Sequence, residues 1–196
     1  MTRRAVSYIS YGQISLAVFL GVCVLMHPGF VLKADEGGMS NYGIHLKTSF
    51  AYSLSLGLPV LFSYLALRVI SSDDAVTRRL TQFLRLYCWL VLLTLLSTYV
   101  YSLDTTLKDL HFVIGALLTI FQTGASLWMY RVLRRTGRDA VLLGVQLVGF
   151  ALETLTVFGA LHVLFLSQVL TSGAFALLLV RTSSSLPCPS EAHSDT

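Results

Sequence analysis

Glu153 is the residue whose type and setting most invite chemistry, because it stands inside the apolar run 140–158. A carboxyl at membrane depth is costly unless it faces a cavity or a partner. Gln146, Gly149, Glu153 and Thr156 recur at helical spacings of three and four, so one stripe would turn all of them toward neighbouring helices. A following antiparallel run brings Ser167 and Gln168 to a similar depth, and Ser97 on an earlier run reaches it too. The expected ligand-binding set is therefore Glu153, Gln146, Gln168 and Ser97. Such a set suits a proton-accepting, cation-binding or substrate-binding carboxyl. It also suits a carboxyl that merely bridges helices.

Histidines form a second group. His27, His45, His111 and His162 fall at run ends or in the first loop on one side, with Asp35, Glu36, Asp104 and Asp109; His193 falls on the other. Histidine and carboxylate are metal-ligand types, and a bound metal can activate water. The residues to consider for a metal are His111, His162 and Asp109, with Glu153 beside them. No HxxxH or HExxH spacing occurs, so separate, locally bonded histidines are the simpler expectation. His111 and His162 are also the one pair with the placement of haem ligands, but they lie at the rim. No catalytic residue is assigned and no cofactor is expected. There is no phosphate loop, GxSxG or dinucleotide fingerprint.

The elements that must hold these residues follow from composition. Of 196 residues, 55% are hydrophobic and 12% are charged; soluble domains carry about 25% charged residues. Mean hydropathy is +0.72. These values exclude a disordered chain and an ordinary soluble enzyme. Six apolar runs, at 11–31, 50–70, 86–103, 110–130, 140–158 and 161–180, approach the roughly 20 residues that cross a bilayer as helix. Transmembrane β-strands would be shorter and alternating. The expected fold is all-α, a six-helix transmembrane bundle over 1–181 followed by a disordered Ser- and Pro-bearing tail over 182–196. The apolar stretch after Arg3-Arg4 reads as an uncleaved first span.

Charge sets the expected orientation. All eleven arginines fall on the side of the N-terminus, and only Lys33, Lys47 and Lys108 fall on the other. That bias puts both termini in the cytoplasm, and a plasma-membrane location is expected. The net charge of +4 is dispersed over short loops, with no nucleic-acid module, so no nucleic-acid partner is expected. Trp89 and Trp128 would sit at the inner interface, and Tyr99 and Tyr101 at the outer one. Cys23, Cys88 and Cys188 are too dispersed for a disulfide framework.

Local signals refine this picture. Gly37-Gly38 and 41–43 mark turns in the first loop, which could cover an outward cavity. Pro59 would kink the second span. Gly115, Thr119 and Thr123 form a small-residue packing stripe, and Thr94, Ser97 and Tyr101 share a face. Ser72 would cap an interfacial extension of the third span, with Arg78, Arg79 and Arg85 reaching lipid phosphates. The fifth and sixth spans would join tightly at Gly159-Ala160.

In size, cytoplasmic termini and the first-loop residues Ser40-Asn41-Tyr42-Gly43, the chain resembles the six-span DRAM-like membrane proteins and related bacterial six-span families. The resemblance covers the whole chain in layout and four residues in motif. It implies a role in membrane organisation or lipid trafficking and transfers no site residue. The leading reading is a non-enzymatic membrane protein that binds a lipid, a small hydrophobic ligand or a partner protein in the outer half of the bilayer. Two others stay open. One is a small secondary transporter, working as a homo-oligomer, with Glu153 as titrating group. The other is an outward-facing metal-dependent lipid hydrolase.

Overall fold

The computed structural model describes residues 1–33, 38–70, 74–103, 107–133 and 136–186. Six long helices carry the fold: α1 (Arg3–Met26), α2 (Leu46–Val69), α3 (Ala75–Leu103), α4 (Lys108–Val132), α5 (Gly137–Val157) and α6 (Leu164–Ser185). All six are long and apolar enough to cross a membrane, and no strand occurs among the described residues. The chain is a multi-pass membrane protein. Helices follow one another up and down, each packing on its predecessor, and α6 returns to touch α1, α4 and α5. Half of the most apolar window of α6 is buried, against 17% for α5. Thus α6 is the inner helix, and α5 lies outermost, on α4 and α6.

Two apolar clusters hold the bundle. At the end bearing the chain termini, Ile9, Leu84, Tyr87, Met129, Phe175 and Leu179 interlock. At the loop end, Cys23, Tyr42, Ala51, Tyr52 and Phe165 form a smaller cluster. Helix crossings depend on glycine at a few places. A methyl at Gly12 would lie 3.2 Å from the Pro59 Cα, so α1 and α2 touch backbone to backbone there. Pro59 is thus buried at a helix crossing, inside a helix that continues past it. A methyl at Gly149 would lie 2.9 Å from the Thr171 backbone nitrogen, which fixes the α5–α6 crossing.

Several ends differ from the sequence reading. The α3 extension begins at Ala75, and its Leu80 and Leu84 are buried in the bundle, not laid on the membrane surface. Its first turn is capped by Asp74, whose Oδ1 accepts from Val76 N at 2.9 Å and Thr77 N at 3.0 Å. Helix α6 starts at Leu164, three residues later than expected, because α5 ends in a Schellman motif. There Gly159, at φ 74°, donates to the Thr156 carbonyl while Ala160 donates to that of Leu155. The same helix runs to Ser185 with Thr182 and Ser183 buried, so 182–185 belong to the bundle. Asp35, Glu36, Gly37, Ser72, Asp73, Asp104, Cys188 and His193 lie outside the described residues.

The start of α5 is fixed twice. Thr136 and Asp139 form a capping box, and Arg181 from α6 reaches the same carboxylate with Nε 2.6 Å from Oδ1. The Asp139 side chain is 1% exposed, so losing its cation strands a buried charge. Thr136→Ala should cost about 1 kcal/mol through the lost cap. Arg181→Ala should cost roughly 2 kcal/mol, the scale of a hydrogen bond to a charged group. Thermal melting in detergent checks both, with the exposed Arg138→Ala as the control expected to change little.

Candidate functional site

The carboxyl that opened the sequence argument sits a turn before the end of α5, 7% exposed and facing α4 and α6. Its Oε1 accepts a hydrogen bond from Thr119 Oγ1 of α4 at 2.9 Å. The Gln168 carboxamide of α6 lies alongside. The second oxygen, Oε2, is buried and meets no hydrogen-bond partner among the described residues. Antiparallel neighbours explain the meeting: α4, α5 and α6 each contribute one polar side chain near the loop end of the bundle.

Gln168 is held from its other side. Its Oε1 accepts from the Met39 backbone N–H at 2.8 Å, which ties the first loop onto α6. The loop approaches so closely that a methyl on Gly38 would lie 3.0 Å from Gln168 Cδ. Gly38 also has φ 56°, a left-handed backbone that glycine adopts freely. Glycine is therefore favoured at 38 by its left-handed turn, with the flexible Gln168 side chain packed directly beneath it. Met39 and Ser40 of the loop border a cavity.

Two adjoining spaces meet at Glu153. One is a chamber of about 80 Å³ reaching toward the bundle centre, with Tyr52, Tyr87, Val91 and Gln122 on its walls. It occupies the gap between the two apolar clusters. The other is a cavity of about 370 Å³ between α4 and α5. Ser40, His111, Gly115, Thr119, Glu153 and Gln168 border both. The larger space has an apolar side formed by Phe112, Ala116, Ile120, Phe150, Val157 and Phe158. Of these, all but Phe150 are exposed on the surface of the bundle, where lipid would lie. The space thus runs from a polar inner end to an apolar flank.

The other expected residues are placed as follows. Ser97 does not border either space; it lies behind His111, with Oγ 2.9 Å from His111 Nδ1 and 2.9 Å from the Thr94 carbonyl. A hydroxyl has one proton to donate, so bonding the carbonyl leaves its oxygen to accept from Nδ1–H. Ser97 thus bridges the α3 backbone and the His111 ring. Gln146 is fully buried further along α5, where its Nε2 donates to Thr123 Oγ1 at 3.4 Å, apart from the cavity. Of the metal candidates, His111 is buried, whereas His162 and Asp109 are exposed. No three histidine, cysteine or acidic side chains come together as a metal site among the described residues. Two other histidines at the loop end do meet. The His27 and His45 rings lie 4.6 Å apart, with Phe30 stacked 4.0 Å from His27.

Thr119 and Ser40 were missed by sequence reasoning. Thr119 belongs to the stripe read as packing, and that stripe also supplies Thr123 to Gln146. The available signal was that two threonines a turn apart on α4 face two polar side chains on α5. Ser40 entered the sequence reading only through the first-loop motif Ser40-Asn41-Tyr42-Gly43, not as a site residue.

The chain matches no family model, no curated protein and no solved structure.

Gly38→Ala should force the loop off Gln168 and cost about 1–2 kcal/mol for the left-handed backbone alone. Hydrogen exchange should then rise across 38–44 while the middle of α1 stays protected. Equal protection in both proteins would mean that the Gly38–Gln168 contact does not hold the loop.

Proposed function

We propose that this membrane protein binds an amphipathic molecule taken from the bilayer, with its polar end at Glu153 and its apolar part between α4 and α5. The single observation that carries this reading is the shared border of the two spaces. A buried carboxyl oxygen without a partner among the described residues stands at the inner end of a cavity whose outer side is apolar and exposed. Leaving such an oxygen unpaired costs about 1–3 kcal/mol, which a ligand donor would recover. The matching head group is a hydrogen-bond donor, a hydroxyl or an amine. A volume of about 370 Å³ falls in the range of small-molecule sites. At about 30 Å³ per water-sized group it takes roughly a dozen heavy atoms, so a long chain would continue out between the helices. The role is binding, with no reaction assigned to it. It agrees with the lipid-related role that the resemblance to the DRAM-like layout implies.

We also propose that the ends of the bundle bearing the termini face the cytoplasm, on the strength of the arginine bias. The site then lies in the outer half of the bilayer.

Gly115 offers a clean test of the binding. It borders both spaces, and nothing lies within 4 Å of a methyl built on it. Gly115→Leu should fill the cavity without straining the fold, and leucine favours helix over glycine. Purified from cells in mild detergent, the wild-type protein should retain a molecule of one chemical class detectable by mass spectrometry. Glu153→Gln should lower that retention about tenfold, the scale of one charge-assisted bond, and Gly115→Leu should abolish it at unchanged melting temperature. Equal retention in the Gly115→Leu variant would sink the reading.

For orientation, cysteines introduced at Arg138 and at His162 should react differently with a membrane-impermeant maleimide on intact cells. His162→Cys should label and Arg138→Cys should not; the reverse pattern inverts the topology.

A further inference from the structure

A second groove lies on the outer surface between α2 and α3, toward the end of the bundle that carries the termini. Its volume is about 690 Å³. Along α2 it runs from Gly57 to Arg68, about 17 Å at 1.5 Å per residue. Its floor is apolar, from Val60, Leu61, Leu67 and Leu92. Its end is cationic, from Arg68 and Arg85, and Tyr64 and Trp89 stand beside them.

The levels of these groups match a membrane interface. Helix α3 has 29 residues, about 43 Å of rise, so it outruns the roughly 30 Å hydrocarbon layer. Its start, with Arg78 and Arg79, therefore projects beyond the layer. The Cys88 thiol meets the Val60 carbonyl at 3.8 Å, which puts Arg85 a turn nearer the projecting end than that crossing. Trp89 is 66% exposed one turn deeper, where amphipathic rings favour the headgroup level.

Arg68 is oriented. Its Nε and Nη2 donate to the Tyr64 hydroxyl at 3.0 and 2.6 Å, and its guanidinium lies 4.8 Å from that ring centre. Among the described residues, no carboxylate pairs with Arg68 or Arg85. Arg68 and Arg85 thus present cationic charge at one end of an apolar groove, at headgroup depth. An occupant must offer an anion at that end and hydrocarbon along the floor.

We propose that this groove is a binding site for an anionic phospholipid, with the phosphate between Arg68 and Arg85 and one acyl chain lying along Gly57 to Leu67. The groove shares no residue with the Glu153 cavity and lies toward the other end of the bundle. Its occupancy therefore stands or falls independently of the function proposed above.

The test uses the full chain in detergent, offered equal amounts of dioleoyl phosphatidylglycerol and dioleoyl phosphatidylcholine, with bound lipid read by native mass spectrometry. Two arginines near a lipid phosphate should favour the anionic lipid about tenfold or more. The double variant Arg68→Gln/Arg85→Gln should remove that preference. The double variant Arg3→Gln/Arg4→Gln, with the same charge change at the same end and outside the groove, should keep it. Gly57→Leu should lower anionic-lipid binding with every charge intact, since nothing lies within 4 Å of a methyl at 57. That variant also keeps the test open if the arginine variant fails to fold. Equal loss in the Arg3/Arg4 and Arg68/Arg85 variants would mean diffuse surface attraction, and full binding by Gly57→Leu would mean that the chain lies elsewhere. Either result overturns the site.

Discussion

A carboxyl at membrane depth is the constraint around which the loop end of this bundle is arranged. Glu153 cannot be left facing hydrocarbon, so α4 supplies Thr119 and α6 supplies Gln168 to meet it. Each partner is in turn fixed by something else. Gln168 is pinned by the Met39 backbone, beside the left-handed turn that favours glycine at 38. The α5–α6 crossing that brings Glu153 and Gln168 together requires glycine at 149. The chain from carboxyl to amide to loop means that one costly residue determines how the first loop folds down over the bundle.

The far end of the same helix pair is secured by a different kind of charge. Asp139 is buried at the start of α5, yet it is satisfied completely within the fold, by the cap at Thr136 and by Arg181. Among the described residues, Glu153 finds a hydrogen-bond partner at Oε1 and none at Oε2. The contrast separates a structural carboxylate from one that retains capacity for another donor. It also explains why α5 can stand outermost on the bundle and part from α4 along the cavity. Both of its ends are fastened, by the Asp139–Arg181 pair at one and the Schellman motif at Gly159 at the other.

Much of the fold was legible because apolar run length is a direct physical requirement of crossing a bilayer. All six helices are where the runs stand. The boundaries were less legible. Leu80 and Leu84 fall in the stretch read as an interfacial extension of the third span, because an amphipathic stretch looks alike whether its apolar side meets lipid or protein. Thr182 and Ser183 read as tail because polar residues in a buried helix end carry no periodic signal. At the site, Glu153 and Gln168 stood out as polar groups in apolar runs, whereas Thr119 did not, since threonine also serves in packing. Gln146 shared the stripe of Glu153 but meets Thr123 instead. Ser97 meets His111 and not the cavity, a contact that depends on a side-chain direction that spacing alone does not set. The gap between α4 and α5 is a property of packing that no single run encodes.

The central claim is that the space from Glu153 to the lipid-facing flank of α4 and α5 holds a molecule from the bilayer. The most direct measurement is electron density from crystals grown in a lipid mesophase. The account predicts elongated density between Phe112 and Phe150 that ends within hydrogen-bond distance of Glu153 Oε2. Helices α4 and α5 closed side chain to side chain over Gly115, with Glu153 Oε2 bonded to a protein group, would contradict it.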